Sequence, residues 1–167
     1  MILFLQNIAR FIVLILIQVF VLNNIRFSGF INPYIYILFI LLLPVRFPRW
    51  ASLILGFITG LIIDSFTNTP GVHAFATVLL AYLRNPVVNA FLSVEEGANP
   101  VPGFYSFGVA AFVKYVITLV IVHHTAFFFL ETFTFHDAGS TLLRIVLNSA
   151  VTIIILFGIQ SFKRSKL

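Results

Sequence analysis

The feature that most constrains this chain is the apolar run of residues 107–135, which one lysine, one glutamate and a pair of histidines interrupt. Runs of comparable apolarity recur along nearly the whole sequence. Hydrophobic residues make up 60% of the 167 residues, charged residues make up 9%, and the mean hydropathy is +1.10. A water-soluble domain of this size leaves about a third of its surface exposed, and so few polar residues cannot cover it. The sequence therefore predicts a protein whose solvent is largely lipid.

Six apolar segments are separated by polar, proline-containing or glycine-containing stretches. They cover residues 2–22, 31–43, 50–64, 69–83, 104–133 and 141–162, and the longest connection between them runs from residue 84 to 103. A helix needs about 20 residues to span the hydrocarbon core, so the second, third and fourth segments must include flanking polar residues or lie tilted. None alternates as the strands of a membrane barrel do. We expect an all-α integral membrane protein, a bundle of about six transmembrane helices in one domain, residues 1–167.

The distribution of charge predicts the orientation of this bundle, because Lys and Arg favour the cytoplasmic side of multi-pass proteins. With a cytoplasmic N-terminus, the inner side receives most of the cations, and the outer side receives two cations and three carboxylates. The inner set is Arg10, Arg46, Arg49, Arg84, Lys114, Lys163, Arg164 and Lys166, and the outer set is Arg26, Arg144, Asp64, Glu131 and Asp137. We expect both termini to be cytoplasmic. The net charge of +5 is attributed to this topology and not to nucleic-acid binding, since no basic face with stacking aromatic residues is visible.

Two small residues in the third segment indicate a close helix contact. Gly56 and Gly60 are four residues apart, so they lie on one helix face and let another backbone approach. The partner backbone can belong to this bundle or to another protein, and the motif also occurs by coincidence in membrane helices. The sequence leaves these alternatives open.

Asp64 follows the two glycines at the end of the same helix, where the macrodipole disfavours a carboxylate. We expect the turn of residues 65–73, or His73 itself, to satisfy this side chain. Thr69 is the expected N-cap of the next helix and Pro70 suits its first turn. A tight hairpin contact is the favoured interpretation of Asp64, because acidic side chains at a membrane border are usually paired. A proton or ligand site is the alternative.

A polar stripe marks the last segment. Arg144, Asn148 and Thr152 follow helical spacing on an otherwise apolar helix, so we expect them to face the interior of the bundle. Arg144 is expected to meet one of the three outer carboxylates. The stripe therefore predicts a polar contact between the last helix and the rest of the bundle.

Histidines and carboxylates cluster near the outer end of the fifth segment: His123, His124, Glu131, His136 and Asp137. Adjacent residues of a helix point about 100° apart, so both neighbouring histidines cannot readily bind one ion. We therefore expect no metal and no cofactor. The sequence also lacks a G-x-S-x-G elbow, an H-E-x-x-H pair and a glycine-rich phosphate loop, so we expect no enzyme.

Three stretches carry a resemblance to a known family. They are PVRFPRW at residues 44–50, GFITGLIID at residues 56–64 and TPGVHA at residues 69–74. Together they form a G-x-x-x-G-L-x-x-D helix end, a short turn and a small-residue helix start. This arrangement resembles the bacterial rod shape-determining protein MreD family, closely over about 30 residues and loosely over the rest.

The resemblance implies a non-enzymatic protein of the bacterial inner membrane, in the machinery that elongates the cell wall and controls cell shape. Such proteins bind the bitopic protein MreC and connect through it to the RodA glycosyltransferase, a penicillin-binding transpeptidase and MreB filaments. Their fold is similar to the substrate-capture subunit of energy-coupling-factor vitamin transporters. The positions that the resemblance carries over are Gly56, Gly60, Asp64, Pro70, Gly71 and His73, and the loop with Arg46, Arg49 and Trp50 is the expected partner contact.

Two other functions stay open at this point. Capture of a small, vitamin-type molecule requires an outward pocket lined by polar side chains near Arg144, Asn148, Asp64 and His73. An intramembrane enzyme is the third possibility, and the missing catalytic motifs argue against it.

Overall fold

The computed structural model describes residues 2–25, 31–92, 98–132 and 138–162, and these residues form helices and turns without a β-strand. The helices are α1 (Ile2–Phe20), α2 (Leu38–Leu41), α3 (Arg49–Thr67), α4 (Val72–Phe91), α5 (Phe104–Phe107), α6 (Val109–Thr132) and α7 (Ala138–Ser161), with 3₁₀ turns at Leu22–Asn24 and Ile35–Ile37. Five of these helices, α1, α3, α4, α6 and α7, are long and apolar enough to cross a membrane. The prediction of an all-α protein of the multi-pass membrane type is therefore confirmed. Several predicted charges lie outside the described residues: Arg26, His136, Asp137, Lys163, Arg164 and Lys166.

The long helices pack in a simple order. Helix α4 contacts α3 on one side and α6 on another, α7 packs against α6, and α1 packs mainly on residues 31–43 and on α3. Large apolar side chains cover the outer faces, among them Phe57 on α3 and Ile154 on α7, which are 50% and 69% exposed. Since lipid replaces water as the solvent of such faces, this distribution agrees with the composition.

The second apolar segment differs from its prediction. Residues 31–43, named here the central segment, do not form a helix of membrane length. Residues 32–34 have no regular structure, a 3₁₀ turn covers Ile35–Ile37, and the four-residue helix α2 follows. Pro33 and Pro44 flank only ten residues, and each proline disfavours helical backbone in the residue before it. The central segment lies inside the bundle, where the exposed fraction of its side chains between Tyr34 and Leu43 never exceeds 6%.

Helix α4 is longer than predicted. The sequence placed a loop from residue 84 onward, but the helix continues through Pro86 to Phe91 and its Arg84 is fully buried. Hydropathy cannot distinguish an arginine in a loop from one that bonds to a neighbouring backbone. The fifth predicted segment is divided in two by Gly108, whose φ of +72° lies in the left-handed region that glycine tolerates, so α5 ends there and α6 begins.

Candidate polar site at the Asp64 end of the bundle

The α3–α4 hairpin is closed by the carboxylate of Asp64, which is 3% exposed. Its oxygens accept hydrogen bonds from the Thr69 hydroxyl at 3.0 Å and from the backbone N–H groups of Gly71, His73 and Ala74 at 3.1, 2.9 and 3.0 Å. The prediction that the turn satisfies Asp64 is confirmed. The first N–H groups of a helix lack partners within that helix, and the positive end of the α4 macrodipole compensates a carboxylate that the end of α3 disfavours.

The start of α4 differs in detail from its prediction. The N-cap is Gly71, with a φ of +86°, and not Thr69. The hydroxyl of Thr69 points to Asp64, whose side chain takes over the capping of the first turn from the preceding helix. Pro70 lies exposed in the turn, one residue before this cap.

Gly56 and Gly60 of α3 both contact another helix of the same chain. A Cβ atom added at Gly60 would lie 2.5 Å from the backbone nitrogen of Ala74, and one at Gly56 would lie 3.1 Å from the carbonyl oxygen of Thr77. Both contacts are with α4, so the small residues let the backbones of the hairpin approach each other. This face of α3 is therefore occupied and is not open to a partner.

The polar stripe of α7 supports the central segment. The Asn148 Oδ1 atom accepts the backbone N–H of Asn32 at 2.7 Å, and the Thr152 hydroxyl accepts that of Tyr34 at 3.1 Å. On the opposite side, Gln18 of α1 accepts the N–H of Ile35 at 2.8 Å. Non-helical backbone inside a membrane protein needs such partners, because lipid offers none.

At its other end the central segment offers carbonyl groups to cations and to a hydroxyl. Arg84 donates to the carbonyl of Leu43 and, at 3.0 Å, to that of Pro44. Tyr115 donates to Leu41 at 2.8 Å and Arg10 to Leu42 at 3.3 Å. Sequence reasoning missed the roles of Arg84 and Tyr115. The signal that could have found them was a polar side chain within or beside an otherwise apolar segment.

Three buried histidines, His73, His123 and His124, lie beside the central segment, and they do not all bond to the same group. The Tyr36 hydroxyl lies 2.8 Å from His73 Nδ1 and 2.8 Å from His123 Nε2. His124 Nδ1 lies 2.9 Å from the carbonyl of Val120, so this nitrogen carries the proton. Its Nε2 atom therefore accepts from the Thr152 hydroxyl at 3.2 Å. Among the described residues, no group of three or more His, Cys, Asp or Glu side chains could hold a metal ion.

A cavity of about 450 Å³ opens between these elements at the Asp64 end. Its polar lining residues are Asn23, Asn24, Asn32, Thr67, Thr69, His73, Glu131, Arg144 and Asn148, and its apolar and aromatic ones are Val19, Ile31, Tyr34, Phe66, Phe127 and Phe128. Arg144 Nη1 lies 3.1 Å from Glu131 Oε2, and the guanidinium stacks 5.4 Å from the centre of the Phe128 ring. The cavity brings together three of the four residues expected at an outward pocket, while Asp64 lies behind its wall, bonded to Thr69.

The opposite end carries the loop predicted to contact partners. Trp50 is 69% exposed, and the guanidinium of Arg49 lies 5.9 Å from the centre of the Tyr82 ring. The backbone N–H of Arg46 donates to the side chain of Asn99 at 2.8 Å, which ties the loop to residues 98–103. A smaller cavity of about 350 Å³ lies beside it, lined by Val45, Arg46, Asn85, Val88 and Asn89. The predicted site residues therefore fall into two groups at opposite ends of the bundle.

Neither a protein-family model, nor a curated protein, nor a solved structure matches this chain.

Proposed function

We propose that this chain is a non-enzymatic scaffold of the MreD type, which binds other membrane proteins in the bacterial inner membrane. The observation that carries the proposal is the use of the polar groups inside the bundle. Asp64 is bonded to four donors, and Arg84 and Asn148 are bonded to backbone groups of the central segment. These side chains stabilise the fold. The expected partner is a bitopic protein such as MreC, which would connect the chain to RodA, a penicillin-binding transpeptidase and MreB in cell-wall elongation.

The proposed topology has six crossings, of which the central segment is the second. It runs opposite to α1, because Gln18 bonds to the carbonyl of Pro33 near its start and Arg10 bonds to that of Leu42 near its end. The contacts of this segment run from the Asp64 end, where Asn148 bonds to its start, to the Arg84 end, where Arg84 bonds to Leu43, so we count it as a crossing inside the bundle. Both termini are then cytoplasmic, and the Asp64 end faces outward.

Single cysteines test this topology, since the chain has no native cysteine. Ser65→Cys lies exposed at the Asp64 end and Asn89→Cys lies exposed at the Arg84 end. An impermeant maleimide should label the first in intact spheroplasts and the second only after lysis. Equal labelling of both before lysis would contradict the proposed orientation.

The exposed Trp50 is the proposed anchor of the partner contact, because tryptophan and arginine are enriched among residues that dominate binding energy. Trp50→Ala should weaken co-purification with a bitopic partner about thirtyfold, which corresponds to about 2 kcal/mol. The matched control is Tyr105→Ala, which removes another exposed aromatic side chain, 75% exposed on α5. If crosslinking at native expression captures no bitopic protein, the scaffold function is wrong.

Capture of a small molecule is the second candidate, and the cavity at the Asp64 end favours it. Its volume of about 450 Å³ lies in the range of known ligand sites, about 300–1,000 Å³. Convergent polar groups beside aromatic walls are also typical of such sites. Native mass spectrometry of gently purified protein should reveal a retained ligand. A protein that is always free of bound small molecules would argue for the scaffold alone.

A further inference from the structure

The charges that line the cavity are balanced. Among the described residues, Arg144 supplies one cation and Glu131 one anion. Their contact uses Arg144 Nη1 and Glu131 Oε2, and the side chains stay 35% and 32% exposed. Arg144 Nε is buried without a hydrogen-bond partner, and the second carboxylate oxygen of Glu131 takes no part in the contact. Because both side chains line the cavity and stay partly exposed, an occupant can meet the guanidinium on one side and the carboxylate on the other while the ion pair stays in place.

A chain of amides fixes a second donor and acceptor at the same cavity. The backbone determines the orientation of Gln18, because its Oε1 atom must accept the N–H of Ile35 and its Nε2 atom must donate to the carbonyl of Pro33. The same Nε2 atom donates to Asn23 at 2.9 Å, so the atom that it meets is Oδ1.

Asn32 extends this chain. Its Nδ2 atom also donates to Asn23 Oδ1, at 3.4 Å. Two polar atoms of these lining residues are left buried without a partner within the described part of the chain: the donor Asn23 Nδ2 and the acceptor Asn32 Oδ1. Buried polar groups normally have a partner, so both atoms indicate a missing one. Together the two amides therefore repeat the pairing of one donor with one acceptor that the ion pair supplies.

The apolar part of the lining limits what accompanies these polar groups. The ring centres of Tyr34 and Phe127 lie 5.0 Å apart, and so do those of Phe127 and Phe128. These three rings offer a wall on which an aromatic or aliphatic group packs. The cavity therefore pairs a dipolar recognition surface with an apolar one.

We propose that this cavity binds a small zwitterion. Its primary ammonium and its anionic group lie close together, and the molecule also carries an apolar substituent. The anionic group meets Arg144 and Asn23, the ammonium meets Glu131 and Asn32, and the substituent packs on the aromatic wall. An α-amino acid is the free form of this chemistry, and a phosphoethanolamine headgroup is its lipid form. The inference rests on the capture function proposed above and names its substrate class.

Three phenyl probes that differ in one charged group, and one headgroup probe without the ring, test the proposal by equilibrium dialysis on the full chain in detergent. L-Phenylalanine carries both charges, 3-phenylpropionate lacks the ammonium, phenethylamine lacks the carboxylate, and phosphoethanolamine supplies the lipid headgroup alone. Phenylalanine should bind about tenfold or more tightly than either singly charged analogue, because each analogue leaves charged hydrogen bonds unmade. Tighter binding of phosphoethanolamine than of phenylalanine supports the zwitterion and assigns it to a lipid. A singly charged analogue that binds as tightly as phenylalanine overturns the proposal.

Two variants assign the two halves of the ligand. Arg144→Gln should weaken phenylalanine about tenfold and leave phenethylamine unchanged, and Glu131→Gln should weaken phenylalanine similarly and leave 3-phenylpropionate unchanged. Both side chains are about one-third exposed, so their loss should leave the unfolding midpoint nearly unchanged. Asn89→Ala, beside the cavity at the opposite end, is the control and should bind all four probes as the parent does. Equal loss of all probes in either variant contradicts the assignment.

Native mass spectrometry separates this inference from the capture function. A retained amine, acid or uncharged molecule leaves capture standing and overturns the zwitterion. A retained amino acid or phosphatidylethanolamine supports both. No retained molecule together with no binding of phenylalanine or phosphoethanolamine overturns both, and the scaffold function is unaffected.

Discussion

Both ends of the central segment contain backbone groups without helical partners, but these groups are hydrogen-bond donors at its start and acceptors at its finish. At its start, three backbone N–H groups have no helical partner and donate to neutral side chains, namely Asn148, Thr152 and Gln18. At its finish, carbonyl groups have no helical partner and accept from Arg84, Arg10 and Tyr115, two of which are cations. The difference follows from local structure, because residues 32–34 precede any helical turn and leave N–H groups without partners, while residues 41–43 lie at the end of α2, where a helix leaves carbonyl groups without partners.

The comparison also explains where the charges lie. The unpaired carbonyl groups at the end of α2 carry partial negative charge, so cations are favourable partners there, while the N–H groups of residues 32–35 meet neutral acceptors. A guanidinium can serve several carbonyl groups at once, while Asn148 and Thr152 each serve one N–H group. Arg84 therefore carries two bonds at the finish, whereas each side chain at the start carries one bond to an N–H group, so the loss of Arg84 should have the largest effect.

The largest effect is expected for Arg84→Leu at the finish. A buried carbonyl group and a partly buried one lose their donor, and each orphaned group costs about 1–3 kcal/mol, so the free energy of unfolding should fall by about 3 kcal/mol. Unfolding in mixed detergent micelles measures the change. Arg49→Leu, at an exposed position of the same end, is the control and should change stability little. An unchanged free energy of unfolding in Arg84→Leu would show that the finish of the segment does not depend on Arg84.

A smaller effect is expected for Asn148→Leu at the start. The partly buried N–H group of Asn32 loses its acceptor on Asn148, which is itself buried, so the free energy of unfolding should fall by about 2 kcal/mol in the same assay. Asn89→Leu makes the same change at an exposed site and should be nearly neutral. A loss larger than that of Arg84→Leu would reverse the proposed order of the two ends.

Thr152→Val tests how much a single hydroxyl group contributes at the start of the segment. The Tyr34 N–H loses its acceptor and His124 loses its donor, while the shape of the side chain is kept, so a cost of about 1.5 kcal/mol is expected. Hydrogen exchange of the Tyr34 amide should become faster, which reports on this bond directly. Thr152→Ser keeps the hydroxyl and should retain slow exchange. Equal exchange in both variants would mean that another group protects the amide.

The smallest effect is expected for Arg10→Gln. Its bond to the carbonyl of Leu42 is long, at 3.3 Å, and the arginine is only half-buried, so the cost should be about 0.5 kcal/mol. Unfolding in micelles alongside Arg84→Leu measures the contrast between the two cations. Equal losses would show that the finish of the segment is supported evenly and not mainly by Arg84.

Sequence reasoning could find the features whose partners lie nearby in the chain. The long helices α1, α6 and α7 followed from apolar length, while α3 and α4 needed flanking residues to reach membrane length, and the partners of Asp64 lie within ten residues of it. The close approach at Gly56 and Gly60 followed from a spacing of four residues, although the sequence could not tell an internal contact from an external one.

The central segment could not be predicted from hydropathy, because a run that is apolar on all sides fits a lipid-facing helix and a buried coil equally well. Its partners on α7 lie 116 and 118 residues away, beyond the reach of any local pattern. The proline pair at residues 33 and 44 was the one local sign. The cavity lining was only partly foreseen, since tertiary packing alone brings Asn23 and Asn32 to the same cavity as Arg144.

The dependence of the central segment on distant helices sets the order in which the molecule can assemble. The ribosome makes this stretch second, yet its hydrogen-bond partners extend to residue 152 of the last helix. We infer that the central segment reaches its final position last, after the α3–α4 hairpin has closed on Asp64 as an independent unit. A nascent chain halted after Thr132 should leave residues 31–43 open to protease, and the finished chain should protect them.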